Sequence, residues 1–428
     1  MTDRHAPDVT IVRESGCPDS DGPHSDGPDS DTTAAFTVDN GVLRLRIDDR
    51  GLLTSLVDLE SGREVLPPGA VGNLLQVHRD IPNQWDAWDI DRHYRRVVTD
   101  LESAESVRLA LGAEGGPVIA VTRRFGASRI DQRISLPPGS HSVRISTDVD
   151  WHERQKLLKL AFPIDVAADR SASETQFGHV FRPTHTNTSW EAAKFEICAH
   201  RWIQVGEPGF GVAIANDSTY GHDVSTSARP GGGTFTTVRL SLLRAPLYPD
   251  PDADQGRHVF EVSVTPGAGI AGAVRAGYEL NLPIRTVRGS RGVAPLVTVS
   301  NPAVVVEAVK LAEDRSGDVI VRLYESLGRR IGVTVTAGFD TAGFVTAGFD
   351  TAGFDTAGFV AAGVTQTDLL ERPVPASSAS SAPPAPPASS ASSAPPASSK
   401  PPANGQAGQI RLELRPFELV TLRVRRAG

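Results

Sequence analysis

Apolar and polar residues alternate with a period of two in several stretches of this sequence. In VRISTDVDW (143–151) every second residue, from Val143 to Trp151, falls on one side of an extended chain, and mostly polar residues fall on the other. LRLRI (43–47) has the same pattern, and turn residues at 49–51 and 61–62 follow it, which indicates a β-meander. Similar short strands are predicted at 210–216, 237–245 and 258–264, and one Ala-rich helix at 268–281. The sequence therefore predicts an all-β fold of antiparallel sandwiches.

The alternating stretches fall into two regions of the 428-residue chain. Residues 36–285 predict a large sandwich domain, and residues 293–428 predict a smaller one that 410–426 would close as a hairpin. Residues 1–35 are acidic and rich in Pro, Gly and Ser, without periodic apolar positions, and they predict a disordered tail.

Two low-complexity insertions interrupt the smaller domain. Residues 336–360 repeat the pentapeptide TAGF[DV], whose period is too short for a helical solenoid, and they are interpreted as repeat expansion inside a loop. Residues 374–408 are a Ser/Ala/Pro tract and predict an extended, solvated linker. Neither insertion points to a function.

Charge and composition argue against several classes of partner and location. The net charge is −8 and the chain has no block of Lys and Arg, so we expect no nucleic-acid partner and no membrane partner. No window approaches 18 consecutive apolar residues and the first residues lack a signal peptide, so a cytoplasmic location is expected. Two cysteines, Cys17 and Cys198, make the disulfide framework of a secreted domain implausible.

The stretch NQWDAWDID (83–91) concentrates indoles and carboxylates. Trp85 and Trp88 could stack on the apolar faces of a sugar while Asp86 and Asp89 accept hydrogen bonds from its hydroxyls. Alternatively, both indoles are buried anchors whose N–H groups neighbouring carboxylates cap. The spacing lacks the Gly and the final Glu of an EF-hand calcium loop. A single loop is also a poor source of the two facing carboxylates of a glycosidase.

Two stretches contain histidines that could suggest a metal. His78 and Asp80 form a His-x-Asp pair, but a zinc site needs three or four ligands, so the pair is interpreted as coincidence. Residues 177–202 are rich in His, Arg, Asn and Trp, and either a metal cluster or loop-pinning hydrogen bonds would account for them, of which the second is preferred.

The Pro-rich loop within 241–262 presents acidic and amide side chains, including Asp252 and Gln255, and is either the rim of a ligand site or a rigid solvated turn. The sequence contains no G-x-S-x-G elbow, no Walker loop and no paired C-x-x-C, so serine hydrolase, nucleotide-binding and zinc-finger functions have no support.

The order of several long segments closely resembles the C-terminal region of glycoside hydrolase family 38, the α-mannosidases, in its bacterial cytoplasmic branch. The resemblance covers about 38–330, then 364–373 and 410–426. The segments that carry it are GLLTSLVDLESGREVL, NQWDAWDID, WHERQKLLKLAFP, FGHVFRPTHTNTSWEAAKFE, AHRW, GVAIANDSTYGHDV, LSLLRAPLYPDPDADQG and LRPFELVTLRV.

This resemblance implies a β-supersandwich similar to galactose mutarotase for the larger domain, followed by the small sandwich. It also implies a retaining, zinc-dependent reaction on α-linked mannose, with an Asp nucleophile and a second carboxylic acid. In the family these groups come from an α/β barrel and a helical bundle upstream of the sandwiches, so none of them can be carried over to this chain. The implied cofactor of the complete enzyme is zinc, and no cofactor is expected in this chain.

The sequence thus predicts the C-terminal portion of an α-mannosidase, inactive without a separate catalytic α/β-barrel polypeptide, with an α-mannoside as the carbohydrate partner. A stand-alone carbohydrate-binding module and a decayed gene fragment are the alternatives. No catalytic and no metal-binding residue is assigned. The candidates for a sugar rim or a domain interface are Trp85, Asp86, Trp88, Asp89, Arg182, His185, Asn187, Asp252 and Gln255.

Overall fold

The chain divides into two compact units, Met1–Arg285 and Thr286–Gly428. The structure is a computed structural model. It describes residues 9–14, 34–112, 115–282, 284–285, 288, 295–337, 350–351, 354–355, 361–374 and 409–426.

The regular secondary structure described in the first unit is mostly β-strand. Its helices are α1 (Ser189–Ala193), α2 (Ile270–Asn281) and a 3₁₀ helix at Arg92–Arg96. Its strands are β1 (Thr10–Glu14), β2 (Ala35–Asp39), β3 (Leu43–Ile47), β4 (Leu53–Asp58), β5 (Arg63–Glu64), β6 (Leu74–Arg79), β7 (Val98–Asp100), β8 (Ser106–Leu111), β9 (Pro117–Phe125), β10 (Ser128–Ser135), β11 (Val143–Trp151), β12 (Lys156–Ile164), β13 (Arg170–Thr175), β14 (Gly178–Pro183), β15 (Ile197–Cys198), β16 (Trp202–Glu207), β17 (Phe210–Asn216), β18 (Gly221–Ala228), β19 (Thr234–Leu243) and β20 (Gly256–Pro266).

These strands form three antiparallel sheets around one hydrophobic core. Strands β1 to β5 follow one another in a five-stranded sheet. A nine-stranded sheet has the order β14-β13-β16-β17-β20-β11-β10-β9-β8, and a six-stranded sheet has the order β15-β18-β19-β12-β6-β7. Leu45, Ile145 and Leu160, one from each sheet, belong to the same buried cluster. The predicted all-β fold is confirmed.

The alternation of the sequence accounts for the burial pattern of β11. Its five odd-numbered residues, from Val143 to Trp151, are buried, whereas Arg144 and Asp150 are exposed. A pleated strand points successive side chains to opposite faces, so this pattern places one face of the sheet on the core.

The predicted meander is present, with turns that join β3 to β4 and β4 to β5. Gly51 in the first turn has a φ of 73°, and a Cβ there would lie 2.4 Å from the Cγ1 atom of Val121. Backbone conformation and space therefore both require glycine at this position.

The structure differs from the predicted disordered tail at Thr10–Glu14, because these residues form β1 and pair antiparallel with β2. Glu14 accepts hydrogen bonds from Arg46 and Thr37. The composition of residues 1–35 as a whole predicts disorder, but a strand of only five residues has little effect on that average. The rest of the predicted tail, except Val9, Ala34 and Ala35, lies outside the described residues.

The second unit contains a smaller two-sheet sandwich. Its strands are β21 (Val297–Val299), β22 (Val304–Leu311), β23 (Val319–Glu325), β24 (Ile331–Ala337), β25 (Asp350–Thr351), β26 (Phe354–Asp355), β27 (Ala361–Thr367), β28 (Gln409–Leu414) and β29 (Leu419–Arg426). One sheet of the sandwich has the order β21-β24-β28, and the other has the order β22-β23-β29-β27. Val333 and Leu414 from the first sheet and Leu323 and Leu422 from the second belong to one buried cluster.

The prediction that 410–426 forms a hairpin is wrong. Strand β28 pairs with β24, whereas β29 pairs with β23 and β27, so the turn at 415–418 carries the chain from one sheet to the other. Alternation identifies a strand and its buried face, but it does not identify the strand's partner.

The remaining fold predictions have different outcomes. The predicted helix at 268–281 is confirmed as α2. Within the repeat at 336–360, β25 pairs with β26, and most of the remaining repeat and of the linker at 374–408 lies outside the described residues. In the described part of the chain, no helix is long and apolar enough to cross a membrane.

Replacing Ile145 by Ala should destabilise the first unit by about 2–5 kcal/mol, because the fully buried side chain leaves a cavity between the sheets. The measurement is urea unfolding followed by tryptophan fluorescence, which reports on the first unit because all five tryptophans lie in it. Arg144→Ala, one residue earlier on the exposed face, is the control, with a change within about 0.5 kcal/mol. Equal effects of the two substitutions would contradict the assigned strand faces.

Candidate functional site

The face of the six-stranded sheet that points away from the core carries buried charges. Leu158 and Leu160 of β12 belong to the core, so the side chain of Lys159 between them points to the opposite face. Asp223 on β18 and Arg239 on β19 lie on that same face. Lys159 is 0% exposed and Asp223 is 1% exposed, so other segments of the chain must cover them.

The ammonium group of Lys159 joins two covering segments to the sheet. It donates to Asp223 Oδ2 at 2.5 Å, to Glu196 Oε1 at 2.5 Å and to the Tyr94 hydroxyl oxygen at 2.9 Å. The Tyr94 hydroxyl in turn donates to Glu196. Tyr94 belongs to the 3₁₀ helix and Glu196 lies three residues after α1. We call Lys159, Tyr94, Arg95, Glu196, Asp223 and Arg239 the lysine cluster.

Neighbouring charges within the lysine cluster favour the ionised forms of Lys159 and Asp223 although both are buried. Burial alone would lower the pKa of Lys159, but Asp223 and Glu196 raise it above its ordinary value. Burial alone would raise the pKa of Asp223, but Lys159, Arg239 and Arg95 hold it below its ordinary value. Arg239 lies 2.9 Å and Arg95 3.3 Å from Asp223 Oδ1. The carboxylate is thus surrounded by three cations.

Arg244 and Asp86 join the loop that contains NQWDAWDID to the loop that follows β19. Arg244 Nε donates to Asp80 Oδ2 at 2.6 Å, and a terminal nitrogen of the same guanidinium donates to the carbonyl oxygen of Asp89 at 2.6 Å. Asp86 Oδ2 accepts the backbone N–H groups of Leu247 at 2.6 Å and Tyr248 at 3.0 Å. The carboxylate of Asp86 therefore holds the backbone of the second loop.

Four large aromatic side chains of this region are exposed to solvent, three on the two loops that Arg244 and Asp86 join and one, Trp190, on α1. The exposed fractions are 67% for Trp85, 69% for Trp88, 79% for Trp190 and 69% for Tyr248. We call these four side chains the aromatic face. The interpretation of Trp85 and Trp88 as buried anchors is wrong, because both side chains are exposed. Hydrogen bonds of Asp86 and Arg244, and not the indoles, hold this loop in place.

A cleft of about 510 Å³ separates residues 89–93 from residues 193–196. Trp88 directly precedes one wall, and Trp190 lies on α1, which contributes Ala193 to the other wall. The carboxylates of the cleft already have partners. Asp91 accepts the backbone N–H of Asn83 at 2.9 Å, and Glu196 contacts Lys159. Asp89, the third carboxylate of the cleft, accepts the backbone N–H of Ile90 at 2.9 Å. The cleft is therefore lined by carboxylates that already bind protein groups, and Trp88 and Trp190 lie on the segments next to its walls.

Other predicted rim residues have structural contacts of their own. Asp252 pairs with Arg154 at 2.8 Å, and the Gln255 amide donates to the carbonyl oxygen of Glu153 at 2.8 Å. Both contacts hold the loop after β19 against the loop after β11.

The predicted rim residues of the segment before α1 have contacts within that region. Arg182 donates to the carbonyl oxygen of Cys198 at 3.0 Å. His185 accepts the backbone N–H of Asn187 at 3.4 Å, and both residues are exposed. A ligand role for these side chains stays a prediction.

The described residues do not fit a zinc ion. No three His, Cys, Asp or Glu side chains in the described ranges lie close enough together to hold a metal. The carboxylate of Asp80 pairs with Arg244, and the ring of His78 packs edge-on against Tyr94 with centroids 5.0 Å apart. The His78–Asp80 pair thus serves packing and charge pairing.

Sequence reasoning missed the lysine cluster and Arg244. Lys159 interrupts the otherwise apolar run LLKLAFPI, and a cation in such a run is a signal of a buried ion pair. The partners Glu196 and Asp223 lie 37 and 64 residues further along the chain, and no local pattern identifies them.

Two family models match this chain. The model of the glycosyl hydrolases family 38 C-terminal domain matches residues 38–252, and that of the family 38 C-terminal beta sandwich domain matches residues 303–422.

Curated relatives are similar to the chain over about two thirds of its length. Alpha-mannosidase 2C1 of Homo sapiens is 41% identical over 314 residues, which cover 70% of this chain and 29% of that protein. Alpha-mannosidase of Saccharomyces cerevisiae is 31% identical over 309 residues, which cover 66% of this chain and 27% of that protein. The chain therefore spans less than a third of the length of these relatives.

A solved structure shares the fold. An alpha-mannosidase from Enterococcus faecalis superposes with a TM-score of 0.60 at 15% identity, over 91% of this chain and 42% of that chain.

Replacing Lys159 by Met should destabilise the first unit by about 3–5 kcal/mol, because the buried carboxylates lose a cation while both covering segments lose their common anchor. Urea unfolding gives the magnitude, and amide hydrogen exchange should rise in residues 92–96 and 194–198. Lys194→Met is the matched control, since Lys194 is exposed and pairs with Glu191 within its own turn. Unchanged exchange in both segments would show that Lys159 does not anchor them.

Replacing His78 by Phe should weaken the pH dependence of stability between pH 6.5 and 4. Burial, together with Lys159 and Arg239, lowers the pKa of His78 from 6.5 to about 4. In that window the unfolded state binds a proton that the folded state does not, so stability falls as the pH falls, by at most about 1.4 kcal/mol per pH unit. Phe keeps the ring against Tyr94 without the proton.

The free energy of unfolding of the His78→Phe variant should therefore change less steeply with pH, by about 1 kcal/mol per pH unit. The exposed His141, replaced by Phe, is the control and should leave the slope unchanged. If the free energy of unfolding had the same pH dependence in wild type and in His78→Phe, the buried imidazole of His78 would not be neutral in this pH range.

Proposed function

The chain belongs to glycosyl hydrolase family 38, and we propose that it is the C-terminal β-sandwich portion of an α-mannosidase that hydrolyses α-mannosides only together with a catalytic portion. The observation that carries the proposal is the match of both C-terminal family models, in order, to the two units of the chain. The names of the relatives supply the substrate class.

We propose that hydrolysis depends on a catalytic portion because the described residues contain no arrangement that could serve as a reaction centre. A retaining glycosidase needs a carboxylate nucleophile and a carboxylic acid facing each other at roughly 5 Å. Around the cleft, Asp86, Asp91 and Glu196 hold backbone or lysine groups instead. No described cluster of side chains could hold zinc. We therefore propose that the nucleophile, the acid and the zinc ion of the complete enzyme belong to the catalytic portion.

The proposal includes a cytoplasmic location. Its support is the small number of cysteines, two in 428 residues, which fits reducing surroundings. The catalytic portion is proposed as an α/β-barrel polypeptide, supported by the resemblance of the sequence to the region that follows such a barrel in the family.

The purified chain should not hydrolyse 4-nitrophenyl α-mannoside, with or without added zinc. A fusion in which this chain replaces the C-terminal region of the human relative should hydrolyse it, whereas the human protein truncated before that region should not, because the sandwiches supply the surface on which the catalytic portion is positioned. Release of 4-nitrophenolate is the measurement.

Two results would contradict the proposal. Chelator-sensitive turnover by the chain alone would show that these 428 residues contain a reaction centre. A folded but inactive fusion would show that the chain does not supply the function of the human C-terminal region.

A carbohydrate-binding module is the second candidate function, and the exposure of Trp85 and Trp88 favours it. Exposed indoles stack on the apolar faces of pyranose rings. Methyl α-mannoside should then quench the fluorescence of a Trp190→Ser chain, and adding Trp85→Asn and Trp88→Ser should abolish the quenching, since the two remaining tryptophans, Trp151 and Trp202, are buried. Unquenched wild-type fluorescence at millimolar sugar would remove this candidate.

A further inference from the structure

We propose that the aromatic face, Trp85, Trp88, Trp190 and Tyr248, is the surface on which the catalytic portion of a family 38 enzyme docks. This inference rests on the proposed function and names the surface that the function needs. The proposed occupant is the part of an α-mannosidase that this chain does not cover, whether it is joined to the chain or separate from it.

The first argument is exposure. Each of the four rings is at least 67% exposed, although Trp and Tyr bury large areas elsewhere in this unit, where Trp151 is 0% and Trp202 is 1% exposed. Trp and Tyr are the residues most enriched at the energetic centres of protein interfaces. Several exposed rings on joined segments are therefore typical of a surface that a partner covers.

The second argument is that the backbone beneath these rings is fixed. Asp86 holds the N–H groups of Leu247 and Tyr248, and Arg244 holds the carbonyl oxygen of Asp89. The lysine cluster fixes the two segments on either side of the cleft. None of the five residues of α1 is buried, so this helix is not held by apolar packing of its own. The segment that carries Trp190 is instead fixed by the ion pair between Glu196 and the buried Lys159. A surface that is already ordered loses little entropy when a partner binds.

The third argument identifies the occupant. The matched family models are both C-terminal, and the curated relatives are more than three times longer than the matched part, since it covers 29% of Alpha-mannosidase 2C1. A sugar is the less suitable occupant. One pyranose covers one or two rings, and the carboxylates of Asp86, Asp91 and Glu196 already accept hydrogen bonds from protein groups. These bonds occupy Asp86 Oδ2, Asp91 Oδ2 and Glu196 Oε1, so the carboxylates have a structural role that does not depend on a sugar.

The test uses a triple variant and a matched control. Trp85→Asn keeps a residue that tolerates the φ of 58° found at this position. Trp88→Ser and Trp190→Ser remove the other two indoles. Leu111→Ser is the control, because Leu111 is 77% exposed on β8, an edge strand of the nine-stranded sheet. All variants should unfold within a few degrees of wild type, since each removes only exposed side-chain surface.

The probe is the remainder of human Alpha-mannosidase 2C1, produced with an affinity tag and co-expressed with this full chain. Wild type and Leu111→Ser should co-purify with it and support hydrolysis of 4-nitrophenyl α-mannoside. The triple variant should bind the remainder at least 30-fold more weakly, the change expected from the loss of one interface anchor.

The outcomes separate the inference from the proposed function. Equal co-purification of wild type and the triple variant would overturn the aromatic face as the docking surface and leave the proposed function standing. Absence of both co-purification and turnover for wild type would remove the proposed function and this inference with it. If methyl α-mannoside is bound by wild type but not by the triple variant, while both assemble, the face binds sugar and the docking inference is wrong.

Discussion

The buried ammonium group of Lys159 holds two covering segments of the first unit against the six-stranded sheet. Moving an unpaired charge from water into a protein costs several kcal/mol, so a lysine with no exposed surface requires anionic partners around it. One partner, Asp223, comes from the same sheet, and the other, Glu196, comes from a covering loop. The need to pair one charge thus attaches a loop to the sheet face that carries Lys159 and Asp223, and the hydrogen bond from Lys159 to Tyr94 attaches a second segment.

Much of the fold could be predicted from the sequence because burial of a strand depends on nearby residues. The period of two in β11, the meander of β3 to β5 and the helix α2 are local signals, and the structure confirms them. The partner of a strand, in contrast, is not determined by the residues near it in the sequence. Strands β28 and β29 are separated by four residues and still belong to different sheets. Their partners are set by the packing of the small core, which the local pattern does not contain.

The candidate site could be predicted only in part. The stretch 83–91 was identifiable because two indoles and three carboxylates lie close together in the sequence. Whether Trp85 and Trp88 are exposed was not predictable, since that depends on Arg244 and on a loop more than 150 residues away. The carboxylates illustrate the same limit. Asp86 and Asp91 suggest ligand binding by residue type, but the structure assigns them to backbone N–H groups.

In the proposed enzyme, these contacts give a region whose described residues hold no metal cluster a supporting role in catalysis. Rate enhancement by a positioned nucleophile and metal depends on geometry to within about 1 Å, so the parts that hold them need a firm support. A sheet packed on a large core supplies that support. Its outer loops are held in place by the charged side chains of Lys159 and Arg244. Aromatic side chains suit such a surface, because each presents a large contact area with two rotatable bonds and loses little freedom when it is covered. On this reasoning the carboxylates of the first unit hold the loops, and the exposed indoles form the contact.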